Sequence, residues 1–215
     1  MHEEILLNIR RSLANAKGLP TLPRVLLLQP AERKDTESLI AQFEDEWKKL
    51  SGVFVRASDG VEWTLNFLRE QNVKRVIAWG EKFLPAKGLH NALRREGIEI
   101  IDQVIATEDR AARVKNVAGA EVGITAAEAA SAEVGALVLN HGAGRGRLAS
   151  VIAPIHIVFI RRDQFYPSLE NCWAKIDSKA SNTVVIAGPS RTSYIERVLV
   201  VGAHGPKVVI AVCLE

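Results

Sequence analysis

The chain has 215 residues, of which 47% are apolar and 25% charged, with a formal net charge of +3. This length suits one domain with a sizeable core, and the balance of residues is typical of a globular protein. Basic residues are scattered, mostly beside acidic ones, and none of the six Phe, four Trp and two Tyr residues interleaves with a basic pair. We therefore expect no nucleic-acid-binding surface.

The two cysteines, Cys172 and Cys213, form no C-x-x-C motif. The sequence thus predicts no disulfide framework, zinc knuckle or iron–sulfur cluster on this chain, and no cofactor. The first residues are acidic, and the apolar run after them is too short for the hydrophobic region of a signal peptide. No apolar stretch approaches the roughly 18 residues of a membrane span. We expect a cytoplasmic protein with no membrane span.

The N-terminal residues 3–17 carry apolar side chains at helical spacing, and a Gly- and Pro-containing segment ends this pattern. We expect a helix or arm over residues 1–22, outside a main domain of residues 23–215. Its apolar stripe packs either on that domain or on a partner. Strand and helix patterns then alternate. The predicted strands are 25–28, 53–55, 75–79 and 98–101, and the predicted helices are 35–49, 59–71 with Asp59 as cap, 87–96, and one opening at Thr107-Glu108-Asp109.

The second half has more closely spaced strands, separated by Gly- or Pro-containing turns, and one Ala-rich segment, 126–132, that is predicted to be helical. The alternation predicts a three-layer α/β/α sandwich with a mostly parallel sheet. The short spacing of the last strands favours an antiparallel or mixed edge. The predicted strands are 122–125, 136–139, 155–160, 183–187, 198–201 and 208–214.

A glycine-rich segment, Gly142 to Gly146, follows a predicted strand, and Asp163 lies further along the chain. The spacing is not G-x-G-x-x-G, and the next strand begins too soon for the helix that a dinucleotide site needs. Two interpretations stay open. The segment is a flexible surface loop, or it binds an anion through backbone N–H groups with Arg145 and Arg147 as forked donors.

A second turn, Gly188 to Thr192, follows the strand predicted at 183–187. Ser190, Thr192 and Ser193 are good N-caps for the short helix expected after them, and a helix N-terminus behind a tight turn favours anion binding. Arg191 could bind a carboxylate or phosphate through two hydrogen bonds. The alternative is a capped turn with a solvated arginine.

Two further residues are candidates for chemistry. His204 lies between two apolar strands, as part of a hairpin turn or as a functional histidine. Glu133 is predicted at the C-terminus of the Ala-rich helix, where the helix dipole disfavours an acid, so it is either functional or simply solvent-facing. The five histidines show no H-x-H or H-E-x-x-H spacing, and we predict no metal site.

Several of these turns, in this order, resemble the LUD-domain family. The matching motifs lie within residues 121–206, whereas the N-terminal half matches in length and element order alone. The family usually has Thr at the position of Val134, and Ala-Asp at the positions of Ser193-Tyr194, so the resemblance assigns no role to that acid. The motifs are Gly123-Ile124-Thr125, 132–139, 146–150, 154–157, 188–192, Ile195-Glu196 and 202–206.

The resemblance implies a fold similar to the NagB/RpiA/CoA-transferase group and a link to the oxidation of L-lactate to pyruvate. It implies a non-redox subunit that works beside iron–sulfur partner proteins. The candidate site gathers its residues at strand ends, where α/β sheets bind ligands. Its arginines would hold a small carboxylate or phosphate, and His204 would accept a proton from a hydroxyl. The catalytic candidates are Glu133 and His204, and the binding candidates are Arg145, Arg147, Ser190, Arg191 and Thr192.

Two alternatives rest on the fold group alone. One is a stand-alone enzyme that transfers acyl groups through Glu133 as nucleophile, or that isomerises a phosphorylated sugar. The other is a binding domain that senses a small acid.

Overall fold

The computed structural model describes residues 2–14, 35–101, 110–173, 176, 180–193 and 199–215. The chain divides into two compact units, Met1–Pro30 and Ala31–Glu215. The predicted boundary at residue 22, the strand predicted at 25–28, the helix start at 107–109 and Tyr194 all lie outside the described residues. None of the described helices is long and apolar enough to cross a membrane.

The described residues include six α-helices and twelve strands. The helices are α1 (His2–Ala14), α2 (Thr36–Lys49), α3 (Gly60–Glu70), α4 (Leu89–Arg95), α5 (Arg110–Ala118) and α6 (Leu169–Trp173). The strands are β1 (Val53–Ala57), β2 (Arg75–Ala78), β3 (Glu99–Ile101), β4 (Val122–Ala126), β5 (Ala129–Ser131), β6 (Ala136–His141), β7 (Ile155–Arg161), β8 (Phe165–Tyr166), β9 (Asn182–Ile186), β10 (Arg191–Ser193), β11 (Leu199–Val201) and β12 (Val208–Leu214).

The centre of the second unit is a six-stranded sheet in the order β1-β12-β7-β4-β2-β3, and all of its strand pairs are parallel. Its middle strands are nearly continuous apolar runs because both faces are covered. Helix α2 buries Leu39, Ile40, Phe43 and Trp47 in this core. The prediction of an α/β fold around a mostly parallel sheet is confirmed.

Two smaller sheets complete the unit. One has four strands in the order β8-β5-β6-β9, and the other is the antiparallel pair β10-β11. In the four-stranded sheet, β6 pairs antiparallel with both β5 and β9. Strand β9 lies at its edge. The predicted cap of α3 is also confirmed, since the Asp59 carboxylate accepts hydrogen bonds from the backbone N–H groups of Val61 and Glu62.

The Ala-rich segment 126–132 is not helical, and that prediction is wrong. Ala129–Ser131 forms β5, and all three of its residues are buried. Burial between neighbouring elements outweighs the helix propensity of alanine, which is a weak preference. Glu133 consequently lies in the turn between β5 and β6, where Gly135 adopts a φ of +56° that favours glycine.

The C-terminal strands also differ from the prediction. Strand β12 is not an edge strand but lies between β1 and β7, parallel to both. Residues 191–193, within the turn expected to precede a short helix, form strand β10, and residues 194–198 lie outside the described residues. The turn around His204 joins β11 to β12 in another sheet and is therefore not a hairpin turn. The residue types of a turn are similar whether the chain folds back on itself or crosses to another sheet. The pairing of β12 with β1 was also not predictable from local sequence, because β1 is distant in sequence.

Gly123, in the middle of the parallel sheet, allows a close approach between two segments. A Cβ atom at this position would overlap the carbonyl oxygen of Ala149. Ala149 belongs to a 3₁₀ turn, Arg147–Ser150, which therefore packs its backbone directly on β4. Because Gly123 has no side chain, the 3₁₀ turn lies close to the sheet and places Arg147 and Ser150 on this face.

We expect Gly123→Ala to lower the free energy of unfolding by about 1–3 kcal/mol, the usual cost of overpacking. Urea unfolding followed by circular dichroism measures this change. Gly142→Ala is the matched control, because the atom nearest to its added Cβ is Arg145 Nη2 at 3.7 Å. We expect the control to change stability by less than about 0.5 kcal/mol. Equal stabilities of the two variants would contradict the close packing at Gly123.

Candidate functional site

A cavity of about 640 Å³ is bordered by both larger sheets. The six-stranded sheet contributes His156 and Val209, and the four-stranded sheet contributes His141 and Asn182. The 3₁₀ turn Arg147–Ser150 and the loops after β9 and β11 form the remaining walls. The cavity is thus built where the second sheet, the 3₁₀ turn and two loops meet the parallel sheet.

The cavity does not lie where the sequence analysis expected a site. His156 and Val209 are the second residues of β7 and β12, so the cavity lies at the amino ends of these parallel strands. The expectation rested on the carboxyl ends, where open α/β sheets usually bind ligands. Here the four-stranded sheet supplies a wall at the other end, with His141 at the end of β6 and Asn182 at the start of β9.

Three of the predicted site residues come together at this cavity, namely Arg147, Ser190 and His204. Ser190 is fixed by its backbone, since its N–H donates to the carbonyl of Pro206 at 2.9 Å and its carbonyl accepts from the N–H of Gly202 at 2.8 Å. These two bonds hold the loop after β9 against the loop that carries His204. Arg147 and His204 are exposed, so both side chains border the solvent side of the cavity.

Glu133 does not join this group. It is exposed in the turn before β6, and its backbone N–H donates to the carbonyl of Pro167. His141, at the far end of β6, borders the cavity. A strand rises about 3.3 Å per residue, which places Ala136 and His141 about 16 Å apart. Glu133 is therefore remote from the cavity, and its predicted catalytic role gains no support from this position.

Arg145, Arg191 and Thr192 also lie outside the cavity lining. Arg145 forms an ion pair with Glu128 at 2.9 Å and lies over the ring of Phe83. The Nη2 of Arg191 donates to the carbonyl of Leu50 at 2.8 Å, and Thr192 pairs with Val200 in the β10-β11 ladder. Residues 191–193 form β10, so no helix begins directly after Ser190, and the residues after Ser193 lie outside the described part of the chain.

Buried polar residues of the cavity were not singled out from the sequence. His156 is completely buried, and its Nε2 lies 2.8 Å from Thr125 Oγ1. His141 packs its ring edge-on against Trp79 and places its Nε2 3.4 Å from Ser150 Oγ. A signal was present, because each histidine belongs to a mostly apolar strand, where a buried polar side chain needs a hydrogen-bond partner.

Burial keeps these imidazoles uncharged. It lowers the pKa of His156 to about 3, with a smaller contribution from the nearby His141. Burial also lowers the pKa of His141, opposed by the nearby backbone of Asn182 and reinforced by the positive charges of Arg147 and Arg145. At neutral pH the inner end of the cavity therefore offers neutral hydrogen-bonding groups, while Arg147 supplies positive charge at the outer end.

The comparison with known proteins now identifies the family. The model of the LUD domain matches residues 39–214. The chain belongs to the LUD domain family. Four LUD motif segments, 146–150, 154–157, 188–192 and 202–206, contribute residues to the cavity wall.

Relatives of this LUD domain include a lactate utilization protein C from Halalkalibacterium halodurans, 33% identical over 148 residues, which are 66% of this chain and 63% of the relative. Another protein of that name, from a Geobacillus species, is 33% identical over 142 residues, covering 61% of this chain and 58% of the relative. The uncharacterized protein YkgG of Escherichia coli is 28% identical over 164 residues, covering 72% and 68%. The chain thus spans less than two thirds of the two lactate utilization proteins.

A crystal structure of a DUF162 family protein from Deinococcus radiodurans has a similar fold, with a TM-score of 0.59. The superposition covers 85% of this chain and 100% of that chain, at 16% sequence identity. At this identity the likeness concerns the fold alone.

We expect the buried His156 to make the protein less stable in acid. The unfolded chain binds a proton below about pH 6.5, whereas the folded protein excludes it until about pH 3. The free energy of unfolding should therefore fall by about 1.4 kcal/mol per pH unit within this window because of this residue. Urea unfolding at a series of pH values measures the slope.

In His156→Gln this contribution should disappear, since glutamine does not titrate. His204→Gln, which replaces an exposed histidine, is the control and should retain the slope of the wild type. Identical pH dependence in the wild type and His156→Gln would show that His156 is not held neutral by burial.

Proposed function

We propose that this protein is a non-redox subunit of a cytoplasmic iron–sulfur complex that oxidises L-lactate to pyruvate. Membership of the LUD family and the relatives named lactate utilization protein C support the metabolic assignment. The observation that carries the role of the site is the meeting of Arg147, Ser190 and His204, from three separate segments, at one cavity. We also propose that the fold is similar to that of the three-layer NagB/RpiA/CoA-transferase group.

The cavity suits a small carboxylate, or a phosphate of similar size. Arg147 presents forked N–H donors that match the two oxygens of a carboxylate. The Ser190 hydroxyl adds a donor on the opposite loop, and His204 stands beside it as a proton acceptor for a ligand hydroxyl. The role of Glu133 as an acyl nucleophile is not part of this proposal, because Glu133 lies at the other end of β6.

The proposal assigns electron transfer to partner proteins. Iron–sulfur clusters are held by cysteine thiolates. Here Cys172 and Cys213 are both buried, and burial raises the pKa of their thiols to about 12 and about 11 respectively. Among the described residues there is also no group of three His, Cys, Asp or Glu side chains that could hold a metal ion. Both thiols are accordingly core residues in this account, and the clusters belong to the partners.

We expect the tagged protein, expressed in its native host during growth on L-lactate, to co-purify with brown, cluster-bearing proteins. Deleting its gene should abolish L-lactate oxidation in cell extracts, and the wild-type gene should restore it. Turnover of L-lactate by the isolated chain would favour a stand-alone enzyme. Binding of a small acid without cluster-bearing partners, and with unchanged lactate oxidation in the deletion strain, would favour a sensing domain.

In the same deletion strain we expect Arg147→Met to lower the apparent affinity for lactate about ten- to a hundredfold. Removing one charge-assisted hydrogen bond costs about 1.5–3 kcal/mol, and about 1.4 kcal/mol is a factor of ten. Arg95→Met removes an exposed arginine from α4 and is the matched control. Equal dependence of lactate oxidation on lactate concentration in both variants would remove Arg147 from the site.

A further inference from the structure

Helix α1 carries a stripe of exposed apolar side chains. Because an α-helix has about 3.6 residues per turn, Ile5, Leu6, Ile9 and Leu13 lie on one face of it. These four side chains, the α1 stripe, are between 45% and 55% exposed. A helix of 13 residues is marginally stable alone in water, and in proteins it depends on the packing of its apolar face. A stable α1 therefore needs a second surface that covers the stripe.

The charged residues of α1 are not paired within the helix. Glu3 and Glu4 lie in its first turn, and Arg10 and Arg11 lie about two turns further on. Opposite charges stabilise a helix when they are three or four residues apart, whereas every residue of α1 at those separations from these four is uncharged. Glu3 and Arg10 both adjoin Leu6, on the same flank of the stripe. The spacing therefore leaves both residues able to pair with another helix.

A second copy of α1 in antiparallel orientation satisfies both conditions. Charges that flank the apolar seam of two packed helices set their orientation. With antiparallel α1 helices, the two stripes cover each other, and Glu3 of each copy lies near Arg10 of the other. A parallel pair would place like charges side by side at both positions, which destabilises the contact. Opposite ends of the helix dipoles also meet in the antiparallel pair.

We propose that two copies of this protein associate through their α1 helices, which pack antiparallel along the α1 stripe. This inference goes beyond the proposed function, because it involves no residue of the cavity and holds for any ligand bound there. The four aliphatic side chains of the stripe cover less area than the roughly 1,200–2,000 Å² of a stable interface. The dimer is therefore weak, and its population depends on the protein concentration.

Sedimentation velocity of the purified full chain, from about 1 µM to about 300 µM, measures this self-association. We expect the wild type to shift from monomer to dimer across this range. Leu6→Ser removes one side chain of the stripe from each copy and should weaken dimerisation at least about tenfold. Leu7→Ser is the matched control, because Leu7 is 48% exposed, compared with 45% for Leu6, but lies off the stripe. A wild type that stays monomeric, or equal weakening by both substitutions, would overturn the inference.

Charge reversal tests the orientation of the two helices. The variant with Glu3→Arg and Glu4→Arg has only positive charges on α1, and the variant with Arg10→Glu and Arg11→Glu has only negative ones. In the antiparallel dimer each variant repels itself, so we expect each to dimerise at least about tenfold more weakly than the wild type. Mixing the two variants brings opposite charges together and should restore dimerisation. Dimers of wild-type strength formed by either variant alone, or no dimers in the mixture, would overturn the inference.

Two further results would assign the stripe to another surface and overturn the inference. If the purified wild type is monomeric and Leu6→Ser lowers the melting temperature while Leu7→Ser does not, the stripe packs on its own chain. If the wild type is monomeric and Leu6→Ser loses the cluster-bearing proteins during purification from the native host, the stripe binds those partners. A dimer that co-purifies with no cluster-bearing protein would support this inference and overturn the proposed function.

Discussion

The backbone contact between Gly123 and Ala149 determines the shape of the candidate site. Because β4 carries no side chain at Gly123, the 3₁₀ turn Arg147–Ser150 rests directly on the parallel sheet. The loop before this turn is held from the other side by Trp79, whose indole N–H donates to the carbonyl of Gly146 at 3.1 Å. With the turn fixed, Ser150 reaches His141 while Arg147 stays at the solvent side. Gly123 thereby allows the 3₁₀ turn to place the charged Arg147 at the outer end of the cavity, while the neutral histidines lie at the inner end.

The inner end of the cavity contains buried polar atoms that lower the stability of the fold as long as they lack hydrogen-bond partners. Burying His156 and His141 between two sheets lowers the pKa of both rings, so the folded protein keeps them neutral. Their Nε2 atoms lie near the hydroxyls of Thr125 and Ser150, whereas their buried Nδ1 atoms have no hydrogen-bond partner among the described residues. A purely structural core would replace such groups with apolar side chains, because unpaired polar atoms weaken the fold. Retaining them is consistent with a site whose last hydrogen bonds are supplied by a bound molecule.

Much of the fold could be predicted from the sequence, because its signals are local. Helical spacing and the cap at Asp59 identified α2 and α3, and continuous apolar runs identified the central strands. The Ala-rich strand β5 was missed because its burial depends on β6 and β8, which no local pattern reveals. The central position of β12 was missed for a similar reason, since its neighbour β1 lies far away in sequence.

The candidate site was predictable in part. Gly and Pro turns identified the segments of Arg147, Ser190 and His204, which do meet at one cavity. The same turn signals also selected Arg191, which lies in β10 and whose Nη2 donates to the Leu50 carbonyl instead of bordering the cavity. Sequence spacing could not show that His156 faces a cavity, since that depends on a glycine in the neighbouring strand and on the second sheet.

The central claim is that burial at the inner end of the cavity keeps the imidazoles of His141 and His156 uncharged. Nitrogen-15 NMR of the histidine rings, recorded at neutral pH, tests it most directly. The account predicts that both rings are neutral, with one protonated nitrogen each. A doubly protonated, charged ring at either position would contradict it.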